Sequence, residues 1–293
     1  MPRTPISLPT TLIPGLFVVI WATGFVTARL VAPHAEPLAF VAVRVVVTAL
    51  VLAAISLVSG VPWPSRRGTR NALIAGVLMQ GFYVAGVFWS VHRGLPAGIA
   101  ALVGSLQPLL TAAIAGPLLG ERVAGRRWAG IGAGFLGAGL VLAPKLGAVD
   151  ASGIPPVALV ACLGAMVAMT LGTLWQKRTG ASTDLLANAT IQFTGASLLM
   201  LPLAALAGDW KADLGWPLAL GFTWSVLGNS VAGILLLMAL IRRGAVAGVA
   251  SLLFLVPPVS ALMAYALFGE ALSPIQIGGM TIAAVGVALA SRS

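Results

Sequence analysis

Runs of about twenty apolar residues, separated by short turns that carry the charge, constrain this 293-residue chain more than any other feature. A helix that crosses a bilayer needs about 20 predominantly apolar residues. Reading from one charge cluster or turn signal to the next gives ten such segments: Thr11–Val31, Leu38–Ser59, Ala72–Val91, Pro96–Leu119, Trp128–Pro144, Ile154–Gln176, Leu185–Ala207, Trp216–Ile241, Ala245–Phe268 and Ile275–Ser291. The fifth and tenth are short. Apolar residues fill 59% of the positions and charged ones 8%, against about 25% charge in a soluble domain. That leaves too little polar surface to hold a folded chain in water. The expected class is therefore an all-α integral membrane protein with lipid as its solvent. Glycine (35) and proline (19) lie within the apolar runs, where they serve close packing and kinks. The connections are too short to hold a soluble domain. The N-terminal stretch carries only Arg3 and three prolines. It lacks the features of a cleaved secretory signal, so the first run is read as a retained span.

Loop charge orients the spans. The net charge of +10 does not point to nucleic acid, because the basic residues form neither an amphipathic face nor a dense tail. With the N-terminus in the cytoplasm, 12 basic residues fall in cytoplasmic segments: Arg3, Arg66, Arg67, Arg70, Arg122, Arg126, Arg127, Lys177, Arg178, Arg242, Arg243 and Arg292. Four fall on the opposite side: Arg29, Arg93, Lys145 and Lys211. This asymmetry predicts that both termini are cytoplasmic and that the span count is even. Cys162, the single cysteine, lies in an apolar run and can form no intramolecular disulfide.

The chain also repeats itself. At an offset of 149, Gly120-Glu121 matches Gly269-Glu270, Gly130 matches Gly279, Gly137 matches Gly286 and Pro108 matches Pro257. The frame is a proline-bearing span, a Gly-Glu turn, then a short glycine-rich span. Each repeat holds five spans, an odd number, so consecutive repeats must have opposite topology. The turn after Glu121 carries Arg122, Arg126 and Arg127, whereas the turn after Glu270 carries no basic residue. The expectation is two inverted five-helix repeats, 1–147 and 148–293, forming one membrane domain. Many secondary transporters share this build, with the binding site near the midplane between the halves. Gly130, Gly134 and Gly137 share a helical face suited to close approach, within the chain or in a homodimer.

These residues resemble the EamA branch of the drug/metabolite transporter superfamily. The likeness covers essentially the whole chain: two units of five spans, each with a proline-containing fourth span, a Gly-Glu turn and a glycine-rich fifth. Trp21 with Gly24 and Phe25 is similar to that branch's early tryptophan-glycine signature, although Ala22-Thr23 separates the pair here. Pro37 followed by Arg44 resembles its proline-to-arginine spacing. The resemblance implies an inner-membrane exporter of metabolites. Within the branch the overall likeness is to YddG-type amino-acid exporters, and it rests on no single motif.

No acid lies mid-span; Glu121 and Glu270 sit at span ends, and His34 and His92 at outer edges. Proton relays usually need intramembrane acids or histidines, so facilitated or weakly coupled export is expected. No nucleotide-binding GxxxxGK[ST] motif occurs, and neither cofactor nor metal is expected. Arg44 is the one charge inside a span. Burying it without compensation costs about 2.5–3.5 kcal/mol or more. It either pairs structurally or recognises a substrate carboxylate. Gln80, Gln107, Gln192 and Asn229 are amides that line a cavity or tie helices together. Trp21, Tyr83 and Trp175 are aromatic lining candidates, with helix packing as the alternative. Pro108 and Pro257 are expected to kink moving spans. The expected partners are a small-molecule substrate and the lipid bilayer, with the chain a monomer or a homodimer. A membrane enzyme would need a Ser-His, paired-Asp or HExxH constellation that the spans lack. A channel or an assembly factor ranks below a carrier.

Overall fold

The computed structural model describes residues 12–31, 33–95, 97–120, 123–147, 155–180, 183–243, 246–269 and 271–291. Glu121, Arg122, Glu270 and the side chain of His92 lie outside the described residues. Among the described residues there is no β-strand, only an isolated bridge between Ala35 and Ala212.

The helices are α1 (Ile13–Val31), α2 (Pro37–Val58), α3 (Arg66–Gly76), α4 (Tyr83–His92), α5 (Ala97–Gly104), α6 (Gln107–Leu119), α7 (Gly125–Gly147), α8 (Pro156–Thr179), α9 (Leu185–Ala207), α10 (Trp216–Trp224), α11 (Gly233–Arg243), α12 (Val246–Ser251), α13 (Val256–Phe268) and α14 (Pro274–Ser291). A π-helical stretch, Val77–Phe82, joins α3 to α4, and another, Ser225–Ala232, joins α10 to α11. A 3-10 stretch, Leu252–Leu255, joins α12 to α13.

Among the described residues, seven helical segments are long and apolar enough to cross a membrane: Pro37–Val58, Arg66–Ser90, Leu102–Leu119, Pro156–Thr179, Leu185–Ala207, Trp216–Arg243 and Gly248–Leu267. Ile13–Gly24 and Pro274–Ala290 are shorter apolar stretches. α7, the expected fifth span, is a 23-residue helix with Arg126 and Arg127 in its first turn and Pro144 near its end. Large apolar side chains such as Leu50, Val58, Leu198 and Leu206 face outward, Val58 and Leu206 almost completely. Water would not tolerate that surface, but acyl chains match it.

Local chemistry sets the helix ends. Glu36 caps α2, its two carboxylate oxygens accepting from the Leu38 and Ala39 backbone N–H groups, and Pro37 needs no partner at the first position. Asp184 caps α9 through Oδ1 alone, which accepts from both the Leu186 and Ala187 backbone N–H groups. Gly120 and Gly269, the glycines of the two Gly-Glu turns, end α6 and α13 at φ of 71° and 67°. Only glycine takes that left-handed turn without a Cβ penalty, which explains why both turns carry it.

Within the spans Leu102–Leu119 and Gly248–Leu267, Pro108 and Pro257 each follow a local break in the α ladder. Each is the second residue of a new helix, α6 or α13, and the regular α-helix stops just upstream, at Ser105–Leu106 and at Leu252–Leu255. At that position proline forfeits no helical hydrogen bond.

Packing follows the small residues. α7 lies antiparallel to α14 along its length: a Cβ on Gly130 would strike Gly286 and Ala290, and one on Gly137 would strike Gly279 and Ala283. Gly134 opens a slot for Phe254 instead. The glycine face is thus used within the chain. α2 packs along α9, α1 against α10 and α13, α8 against α3, α4 and α6, and α6 against α12.

Candidate functional site

Two π-helical stretches interrupt the long spans Arg66–Ser90 and Trp216–Arg243. A π turn carries an extra residue that the α ladder cannot accommodate, so it re-aims side chains and often marks functional sites. Gln80 lies in the first stretch and Asn229 in the second, and the 149-residue offset pairs them. Gln80 is buried, and its stretch leans on α9: a Cβ on Gly81 would meet Leu199, and one on neighbouring Gly76 would meet the Gln192 backbone.

Arg44 meets the second stretch. Its Nε donates to Ser230 Oγ at 2.9 Å, its only side-chain hydrogen bond among the described residues. None of the ion pairs among those residues involves Arg44. A guanidinium has five donors, so its Nη groups remain available to a ligand. On the other flank Asn229 Nδ2 donates to the Ile20 carbonyl at 2.7 Å and lies 3.4 Å from Thr23 Oγ1. Trp224 Nε1 donates to Thr23 Oγ1 at 2.8 Å. Asn229 Oδ1 is buried and has no partner among the described residues. Trp21, one residue from Ile20, packs its ring 5.2 Å from that of Phe17 and lies by Gly233 at the start of α11. The structure thus brings Trp21, Arg44 and Asn229 around one π-helical stretch, joined by Ser230, Thr23 and Trp224.

Tyr83 opens α4 and touches two apolar clusters, one spanning α1, α2 and α9, the other joining α5 to α8. Gln107 opens α6, is buried, and leaves Oε1 without a partner among the described residues. Trp175 and Gln192 sit apart from Arg44, toward the C-terminal end of α8 and in the first turns of α9, where the Gln192 backbone adjoins Gly76. Trp175 Nε1 donates to the Asn71 carbonyl at 3.2 Å. Gln192, fully buried, donates through Nε2 to Gln176 Oε1 at 2.8 Å and Asn188 Oδ1 at 2.9 Å, and approaches Met238 Sδ at 3.4 Å. That amide network ties α8, α9 and α11.

The loops gather at two ends. At one end Lys177 Nζ donates to the Ile241 carbonyl, Arg242 Nη2 to the Gly180 carbonyl and Arg127 Nε to the Ala290 carbonyl. These cations satisfy carbonyls in the last turns of neighbouring helices, where the dipole favours positive charge. At the other end the 33–36 and 208–213 segments are joined. Asp213 N donates to the His34 carbonyl at 2.7 Å, Glu36 N to the Lys211 carbonyl at 3.1 Å, and His34 Nδ1 lies 3.3 Å from Asp213 Oδ2. The hydrogen bond from Lys211 to Asp209 raises the Lys211 ammonium above its ordinary pKa. A cleft of about 550 Å³ overlies this clasp, and an apolar one of about 240 Å³ lies between α1 and α13. Neither includes Arg44.

Ser230 and Thr23 were not singled out in the sequence. Hydroxyls abound in apolar helices, and only their partners in the fold, Arg44 for Ser230 and Trp224 for Thr23, mark these two.

A solved crystal structure superposes on the chain with a TM-score of 0.82 at 20% identity, covering 96% of each chain. The inner membrane transporter YedA of Escherichia coli K12, itself described as uncharacterized, is 28% identical over 277 residues, covering 92% of this chain and 88% of the relative. The uncharacterized transporter YvbV of Bacillus subtilis is 25% identical, with 96% and 90% covered. A protein of Salmonella typhimurium described as a probable amino-acid metabolite efflux pump is 25% identical, with 93% and 91% covered. The EamA-like transporter family matches residues 13–143 and again 156–292. With nearly all of its length matched and its helices apolar on their outer faces, the chain is a membrane protein that belongs to the EamA-like transporter family.

Proposed function

We propose that the protein exports small amphipathic metabolites, neutral amino acids foremost, across the inner membrane. In this reading ten spans form two inverted five-span halves, 1–147 and 148–293, with both termini cytoplasmic. The halves alternate in access about a central site. The supports for the inversion are independent. The family matches once in each half. Exchanging the halves maps the packing of α1 on α10 and α13 onto that of α8 on α3 and α6, and returns the α2–α9 and α7–α14 pairs to themselves. The π-helical stretches, the breaks before Pro108 and Pro257 and the Gly-Glu turns recur in matching places.

The substrate class rests on Arg44. An arginine inside a membrane span that has one neutral hydrogen bond and no carboxylate among the described residues is a ready receptor for a substrate carboxylate. Asn229 Oδ1 adds an acceptor on the same π-helical stretch. The amino-acid description of the Salmonella relative points the same way. The monomer encloses the whole site in this reading.

Proteoliposomes loaded with labelled neutral amino acids, nucleobases or cationic drugs test the proposal. Efflux of amino acids is the expected result. Efflux of only the other classes would redirect the substrate, and no efflux of any class would leave a non-transport assembly role. A rate unchanged by an imposed pH gradient supports facilitated movement over proton-coupled antiport.

A further inference from the structure

A buried hydroxyl on a helix has an easy partner, the carbonyl one turn back. Thr27, Thr48, Thr173 and Thr190 all take it, donating to the carbonyls of Thr23, Arg44, Met169 and Leu186. Thr111 and Thr170 are fully buried and do not. Each Oγ1 lacks a partner among the described residues, as does Gln107 Oε1. Gln107 and Thr111 stand one turn apart on one face of α6. Thr170 follows Met166 by one turn on α8, and Met166 belongs to an apolar cluster that includes Val103 of α5 and has Leu110 of α6 packed against it. α6 and α8 pack on each other. The unpaired groups thus lie on the two helices of one seam. Along the helices, Thr111 lies about 13 Å before Gly120 and Thr170 about 10 Å before Lys177, toward the arginine-rich end.

The other half offers a comparison. The 149-residue offset pairs Ser260 of α13 with Thr111 of α6. Ser260 Oγ donates to the Ala22 carbonyl of α1 at 3.3 Å. The α13–α1 seam is thus closed by a hydrogen bond at Ser260, whereas Thr111, its counterpart, makes none among the described residues. Valine has nearly the shape of threonine and would spare both buried sites the desolvation of an unpaired hydroxyl, so fold stability does not account for threonine at either position.

We propose that Gln107, Thr111 and Thr170 form the polar wall of the inner half of the translocation path. It is closed in this structure, and it hydrogen-bonds water and the polar groups of the cargo when α6 and α8 part. This rests on the carrier reading above. Thr111→Val and Thr170→Val are expected to melt at or above the wild-type temperature while transport slows about threefold to tenfold, the loss of one hydrogen bond, with Thr111→Ser and Thr170→Ser restoring it. Thr111→Cys and Thr170→Cys in a Cys162→Ala background should react with an impermeant methanethiosulfonate reagent applied to inside-out vesicles, and hardly at all in right-side-out ones. Wild-type transport by both valine variants would overturn the proposal. So would cysteines that stay unlabelled from the cytoplasmic side in a variant that still transports. If wild-type vesicles move no substrate of any class, the carrier reading fails by itself, and the labelling pattern still decides whether the seam opens inward.

Discussion

Arg44 is tied down by a single bond to Ser230, and in the proposed carrier its remaining donors are what a substrate carboxylate would meet. Replacing it with glutamine removes a charge-assisted pairing, of the order of 1.5–3 kcal/mol. Affinity for carboxylate-bearing substrates should fall at least about tenfold in a transport assay. Thermal stability in detergent should hold or rise, because a buried cation has gone. Loss of folding with no change in affinity would make Arg44 a structural part. Its position is informative too. Arg44 and Gln192 each stand eight residues beyond an acidic N-cap, Glu36 and Asp184. Matched positions thus hold a lone charge on α2 and a helix-tying amide on α9. The sequence singled out Arg44 because it is the only charge within a span. It could not rank Gln80, Gln107, Gln192 and Asn229, because an amide that lines a path and an amide that ties helices look the same until their partners are visible.

Helix pairs carry the next level. The α7–α14 contact is backbone to backbone at Gly130, Gly137, Gly279 and Gly286, close packing that small residues permit in lipid. Gly137→Leu should destabilise the protein by about 3 kcal/mol, as overpacking does, read as a lower melting temperature. Gly139→Leu, where a Cβ meets nothing within 4 Å, should leave it unchanged. The caps make a second test. Gly120→Val forces a branched residue into the left-handed region and should cost about 1–2 kcal/mol, and Gly269→Val likewise. The two prolines teach a related lesson. Their matched spacing was visible in the chain, but a kink within one helix and the start of a second helix place proline in the same sequence context. The backbone had to show that the helix stops before each of them.

At the scale of the whole molecule, charge asymmetry makes the prediction. The cations held by carbonyls of neighbouring helices, Lys177, Arg242 and Arg127, share one end with exposed Arg66, Arg67 and Arg70. That end should face the cytoplasm. Reporters fused at the C-terminus and in the 180–183 loop should both read cytoplasmic, and one in the 208–214 loop external. Agreement of the first two with opposite sign would invert the orientation and keep the fold. The clasp between 33–36 and 208–213 joins the loops of the opposite end through main-chain bonds. It sits above the α2–α9 pair, so it braces the scaffold from outside.

By itself the sequence determined the solvent and the family, and it set the expectation of a repeat. Hydropathy is summed over about twenty residues, loop charge is local, and the Gly-Glu turns are set by backbone conformation at single glycines, so none of these needs knowledge of what touches what. Tertiary structure alone decided which polar groups meet. The π-helical stretches shift the register of Ser230 and Asn229, bringing Ser230 to Arg44 and Asn229 to α1. Tertiary structure also showed that Gln107, Thr111 and Thr170, on the packed helices α6 and α8, are buried without partners among the described residues. The glycine face of α7 could have served another copy of the chain, but in this structure it is occupied by α14. In a membrane every helix offers an apolar surface, so hydrophobicity cannot choose its neighbour. That choice falls to shape at the small residues and to the few polar groups seeking partners.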